Sequence, residues 1–292
     1  MAAPGRALSK QVFYGGQILL VCVLWGLSNP LLKIGANAAG PFTLITLRFF
    51  VGFAAFMLPA GDRVVRGLRG VRILPILAVC VCMSLAFMSA SFSLMLTKAT
   101  IAGFLMGLSA LITPFLEPLL LGRGFRWRVL PLAAVVAVGM YLLTGGEGAF
   151  GIGEILALAC SFVFALMLTL TEKYIEGVDA ISLSAMQCGV GMLLCLPCAL
   201  LFEGMPDVGA IGWTGWGVLL YLSLVGTCLA CLLQNTAMRH ISATYASLAF
   251  CTEPVFTAAF SFLLLGETLT AQGFVGAGIV LAGVMAASVM RT

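Results

Sequence analysis

Apolar residues run in blocks of about twenty along the whole chain, the length that one helix needs to cross a hydrocarbon core. The blocks lie near 13–34, 41–59, 73–96, 100–121, 128–145, 152–174, 180–202, 213–236, 243–265 and 271–289, and Gly, Pro or charge marks most breaks between them. They are much longer than barrel strands, and lipid cannot satisfy the free backbone of an open sheet. The pattern predicts an all-α integral membrane protein with ten transmembrane helices.

Composition narrows the picture. Only 9% of the 292 residues are charged and 62% are hydrophobic, with a mean hydropathy of +1.14. A water-facing surface cannot be built from so few charges, so most of the chain faces lipid or other helices. The net charge of +4 sits in short inter-span clusters, which gives no basic stripe for nucleic acid. Ten cysteines lie inside apolar runs, where they act as small hydrophobes rather than a disulfide framework. Arg6 and Lys10 before the first run, with Ala36-Asn37-Ala38 after it, imitate a signal peptide. The run exceeds the ~7–15 residues of a signal core, so an uncleaved first span is expected.

Basic loops set the orientation. Arg6 and Lys10, then Arg63, Arg66, Arg69 and Arg72, then Arg123, Arg126 and Arg128, then Arg239 and Arg291 fall on one side. Lys98, Glu147, Glu203, Asp207 and Glu267 fall on the other. Both termini are therefore expected in the cytoplasm of a multi-pass cell-membrane protein. The loop after span 6, with Glu172, Lys173, Glu176 and Asp179, runs against this trend.

The chain also echoes itself. Leu119-Leu120-Leu121-Gly122 ends span 4 as Leu263-Leu264-Leu265-Gly266 ends span 9, and Thr100-Ile101-Ala102 matches Thr244-Tyr245-Ala246 at the same offset. Arg48 with Pro59 parallels Gln187 with Pro197, and Lys33 parallels Lys173. Five spans is an odd number, so the second half would enter from the opposite face. The expectation is two five-helix inverted-topology repeats, 1–145 and 146–292, with a site between them near the midplane.

Trp25-Gly26, Lys33, Leu47-Arg48-Phe49 and the stretch from Glu253-Pro254-Val255-Phe256 into Leu263-Leu264-Leu265-Gly266-Glu267-Thr268-Leu269 resemble the drug/metabolite transporter superfamily, in its EamA-like ten-span branch. The first half departs from that pattern: Arg123 stands where the family usually has Glu, and Pro114 lies close to the LLLG. The resemblance implies a 5+5 helical fold, a central cavity, and export or exchange of amino acids or related small metabolites.

Charges inside spans are costly and mark functional or structural pairs. Glu253, near the middle of span 9, is the leading candidate, either to bind a substrate amine or to carry a proton; a packing carboxylate before Pro254 is the bland alternative. Arg48 offers a fork for a carboxylate, although a structural pair is equally reasonable. Glu117 is expected to pair with a basic loop residue such as Arg123. Lys33 and Lys173 sit at helix ends, where snorkelling is the commoner role. Uncharged candidates for substrate binding are Trp25, Ser28 and Asn29 before the expected break at Pro30, Gln234 and Asn235, and Tyr221 and Tyr245 as stacking rings, with interfacial anchoring the commoner role for Tyr245. Ser84, Met88 and Phe92 form one face of span 3, which more often packs core.

The two CxxC motifs, Cys195–Cys198 and Cys228–Cys231, lie on antiparallel spans at depths that differ too much for one zinc site, so no metal and no cofactor are expected. Gly103 and Gly107 suit internal packing, and Gly276, Gly278 and Gly283 suit packing or a homodimer face. No ATP motif, zinc-protease motif or nucleophile elbow is present, and His240 is the only histidine. The reading is a secondary transporter working by alternating access, with a small-molecule substrate, the lipid bilayer, and a proton or counter-substrate as coupling partner. A membrane-embedded enzyme or a channel is the alternative.

Overall fold

The computed structural model describes residues 4–125, 127, 129–143, 151–204, 211–266, 268 and 270–289. The orientation marks at Arg126, Arg128, Glu147, Asp207, Glu267 and Arg291, Leu269 of the family-like motif, and the side chains of Arg6 and Lys10 lie outside the described residues.

Among the described residues every regular element is helical. The helices are α1 (Pro4–Ala39), α2 (Pro41–Gly67), α3 (Ile73–Leu96), α4 (Ala99–Gly107), α5 (Ser109–Leu121), α6 (Val129–Leu143) and α7 (Ile152–Tyr174). Then come α8 (Ala180–Phe202), α9 (Trp213–Leu220), a π-helical stretch (Tyr221–Leu229), α10 (Ala230–Met238), α11 (Ala243–Phe250), α12 (Glu253–Leu265) and α13 (Ala271–Val289). They form 8 segments long and apolar enough to span a bilayer, and Val129–Leu142 and Ala271–Ala286 are shorter apolar helices. The protein is a multi-pass helical membrane protein.

Its surface and interior are exchanged relative to a water-soluble protein. Leu58, Leu201 and Trp213 are exposed, whereas Ser84, Thr169, Gln234 and Asn235 are wholly buried. Lipid wets the former without cost, and polar groups find partners only inside the bundle. α3 packs on α7 and α8, α2 on α8, α1 against α12 and α10, and α6 on α13.

Helix ends follow local chemistry. Gly122 (φ 65°) and Gly266 (φ 69°) end α5 and α12 in the left-handed conformation that a side chain would disfavour. Two expected continuous spans are broken at their centres. α4 gives way to α5 at Leu108, and α11 to α12 at Cys251 and Thr252, through tight i→i−3 bonds such as Leu108 N–H to Leu105 O and Thr252 N–H to Ala249 O. The two breaks fall at matching positions of the LLLG-bearing segments. The π stretch interrupts the span expected near 213–236. Two proline expectations also change. α1 runs through Pro30 without ending, and α2 bends at Ala60 (φ −139°) but continues beyond Pro59 to Gly67.

The antiparallel α2 and α8 are clasped at both ends. Glu203, after α8, accepts from the Phe42 and Thr43 N–H groups at 2.8 Å, capping the start of α2. Arg63 and Asp179 pair at 3.1 Å at the other end, an exposed bridge worth little. Glu203→Gln keeps one acceptor and loses the charge at the α2 N-terminus. The variant should lose about 1 kcal/mol, read as a lowered Tm of the detergent-solubilised protein, while Arg63→Gln should leave it nearly unchanged.

Candidate functional site

A cavity with about 90 Å³ of free volume opens where α1, α3, α4, α7 and the α11–α12 break meet. A water needs roughly 10–15 Å³ on the same measure, so the space suits a solute of several heavy atoms. Its floor is aromatic. Trp25 lies stacked on Phe250 (5.3 Å between ring centres, 17°) with Phe87 and Phe164 edge-on at 5.7 and 5.9 Å. From that level the lining climbs α1 to Leu32 and α3 to Leu94, toward the end of the bundle opposite the start of α1.

Glu253 enters the cavity as the first residue of α12, with Pro254 following it in the first turn. Pro is well suited there, because the missing N–H would have had no intrahelical partner. The break at Thr252 therefore exposes the carboxylate at a half-helix start. Asn29 of α1 holds it: its amide donates to Glu253 Oε1 at 3.1 Å and to Thr257 Oγ1 at 2.9 Å. Both amide hydrogens are used, which fixes the carboxylate against α1. Ser109, the first residue of α5 at the corresponding break, also lines the cavity.

Arg48 reaches the cavity from α2 and is 4% exposed. Its Nε donates to Thr227 Oγ1 at 2.5 Å, Nη2 donates to Gly226 O at 2.8 Å, and Cζ lies 4.7 Å from the Phe87 ring centre. Trp25 Nε1 donates to the same carbonyl at 2.9 Å. The π geometry makes this possible. Ala230 N–H reaches back to Val225 rather than Gly226, so the Gly226 carbonyl is open to two side-chain donors. A Cβ at position 226 would stand 2.5 Å from Ser28 Oγ and 3.4 Å from Arg48 Nη2, so a side chain there would displace the serine hydroxyl. These partners are a hydroxyl, a carbonyl and a ring face, so they orient the guanidinium without neutralising it.

Of the candidates for substrate binding, Trp25, Ser28, Asn29, Arg48 and Glu253 line one cavity. The other candidates for that role lie off it. Ser84 donates to Cys80 O, Met88 and Phe92 pack in the cluster between α2 and α8, and Tyr221 donates to Leu24 O. Gln234 contacts Met167, and Asn235 donates to Ser184 and Gln187. Lys33, near the end of α1, is half-buried outside the lining. Sequence reasoning missed Phe87, Phe164 and Phe250, which sit in apolar runs and carry no polar signal. Ser109 was legible only through the repeat offset that aligns it with Glu253.

Other expectations are corrected or placed. Glu117 accepts from Thr244 N–H at 2.7 Å, and Arg123, the partner expected for it, pairs with Glu172. All ten cysteines are free thiols. Gly103 packs on Pro254 and Gly107 on Met140, inside the bundle.

A helical membrane bundle with a charged, aromatic-walled cavity at two helix breaks defines a class of solute-handling membrane proteins. The EamA-like transporter family profile matches residues 15–145 and again 151–289. The chain belongs to this family and is a membrane transporter. It is 26% identical over 279 residues to an uncharacterized transporter of Archaeoglobus fulgidus, covering 96% of this chain and 87% of that one. It is 31% identical over 117 residues to mouse solute carrier family 35 member G1, a match to 40% of this chain and 30% of that one. A solved crystal structure shares the fold with a TM-score of 0.75 at 19% identity, covering 94% and 95% of the two chains.

Proposed function

We propose that the protein is a secondary transporter that moves an amino acid or related small metabolite, in the export direction, by alternating access. The observation that carries this reading is the cavity holding Glu253 and Arg48 at the centre of two broken helices. A solute with an amine and an acid group matches that pair, and the aromatic floor accepts an apolar remainder. Its place at the breaks of two spanning segments suits a site between halves that rock about it.

The ten spans are proposed to form two inverted five-helix repeats, 1–145 and 146–292, with both termini cytoplasmic. Three observations support this. The family profile matches once in each half. The breaks at Leu108 and Thr252 fall at matching positions. The helix pairings also exchange under a swap of halves: α3 on α7 corresponds to α10 on α1, α1 on α12 to α7 on α5, and α2–α8 and α6–α13 map onto themselves.

Purified protein in liposomes tests the reading. Flux of labelled amino acids should saturate and be reduced by unlabelled competitors. Flux that rises linearly with concentration would indicate a channel instead, and chemical conversion of the solute would indicate an enzyme.

A further inference from the structure

Three helices are tied together at the end of the bundle where α1 starts. α11 presents its first N–H groups there. Ala243 N–H donates to Glu172 Oε2 at 2.6 Å, Thr244 N–H to Glu117 Oε1 at 2.7 Å, and Tyr245 N–H to Ser242 Oγ at 3.3 Å. The two carboxylates come from the last turns of α7 and α5, so three segments are tied at one point. Glu117 is 3% exposed and the Glu172 side chain 10%. Arg123 pairs with the other oxygen of Glu172, Lys173 donates to Leu120 O at 2.6 Å, and Tyr14 stacks on His240 at 3.9 Å. Anionic acceptors at a helix N-terminus gain from both charge-assisted bonding and the helix dipole.

The opposite end is built differently. α4 begins there after Lys98, whose own side chain does not cap it. The offset that aligns Thr100 with Thr244 and one LLLG with the other places Ser261 opposite Glu117. The Lys33–Lys173 match places Leu32 opposite Glu172. Leu32 lines the cavity where it climbs toward this end, and Ser261 Oγ is buried without a hydrogen-bond partner. One end therefore has two carboxylates on a helix start. At the repeat-related junction, the start of α4, the other end has a hydroxyl with nothing to bond and a leucine, while its carboxylates serve other contacts, Glu203 at the start of α2 and Glu154 with Thr97.

We propose that Glu117 and Glu172 form a latch that holds the α1-start end shut, and that Ser261 accepts the Thr100 N–H when the opposite end closes. This rests on the alternating-access reading. The two repeat-related junctions are then unequal: two charged acceptors at the start of α11, one neutral acceptor at the start of α4. Unliganded protein rests with the α1-start end sealed. A bound solute supplies the preference needed to reverse it, because a ligand shifts an equilibrium only by its differential affinity for the two states.

Amide hydrogen exchange on the purified, unliganded protein in nanodiscs tests the latch with no transport assay. In Glu172→Gln, exchange over residues 243–247 should rise about tenfold, the difference between a charge-assisted and a neutral bond, while residues 99–102 become slower to exchange. Ser261→Glu leaves the latch intact and offers a carboxylate to the start of α4. It should shift both segments in those same directions.

Faster exchange at 243–247 with no slowing at 99–102 would reduce the carboxylates to simple caps and overturn the proposal. So would wild-type exchange at 243–247 in Glu172→Gln. If Ser261→Glu loosens every helix, it has misfolded and Glu172→Gln alone decides. Opposed shifts together with unsaturable flux would leave the latch standing and remove the transport reading instead.

Discussion

Replacing Glu253 by Gln should abolish solute flux in liposomes, by about a hundredfold or more, while yield and thermal stability stay near wild type. The substitution keeps the shape and one acceptor for the Asn29 amide, 3.1 Å away, so the contact between α1 and α12 persists. What disappears is the charge at the cavity, and a desolvated charge pair contributes on the order of 2–5 kcal/mol to binding. An amine-bearing solute then has no counter-ion, and a coupled proton has no carrier. Normal flux in this variant would remove Glu253 from the mechanism and leave it a packing residue. The reciprocal substitution, Asn29→Ala, should weaken transport less, because it frees the carboxylate without removing it.

A second large effect is expected from Gly26→Val, this time on folding. A Cβ at position 26 would lie 2.6 Å from Phe256 Cβ and 3.0 Å from the backbone of Phe256 and Thr257. Flexible side-chain ends can yield, but backbone atoms of a packed helix cannot, so α1 must move away from α12. Overpacking of this kind costs about 1–3 kcal/mol and sometimes more. The shift also separates Asn29 from Glu253. Purified Gly26→Val should be scarce and melt several degrees lower, and what remains should not transport. Gly16→Val, on the same helix with nothing within 4 Å, is the matched control and should behave as wild type.

The outline of the bundle was legible because lipid imposes one rule everywhere: a run long enough to cross must be a helix. Most helix ends fell near the Gly, Pro or charge that marks them. The interruptions were harder to see. Leu108 carries no breaker signal of its own, and nothing between Tyr221 and Leu229 announces π geometry, whereas the break at Cys251 and Thr252 precedes Pro254, which has no N–H to bond back to Phe250.

The site was partly legible for the same reason. Arg48 and Glu253 stand out in hydrocarbon because their cost demands an explanation, and Trp25 and Asn29 stand beside a proline. On α3 the chosen face was Ser84, Met88 and Phe92, whereas Phe87, Ala90, Ser91 and Leu94 line the cavity. A helix apolar all round has no amphipathic stripe to show which side faces in. Gln234 and Asn235 are as conspicuous as Glu253 in sequence. Their burial against α7 and α8 shows that polarity in a span marks a partner, and a solute is only one kind of partner.

Trp25 lies at the cavity floor, flat against Phe250. Trp127 and Trp213 are exposed near helix starts, and Trp216 is half-buried. Only one of the four indoles therefore lies where an entering solute would alter its surroundings. The emission spectrum of the unlabelled protein thus carries a built-in optical gauge of occupancy, and Trp127→Phe with Trp213→Phe would strip away most of its background.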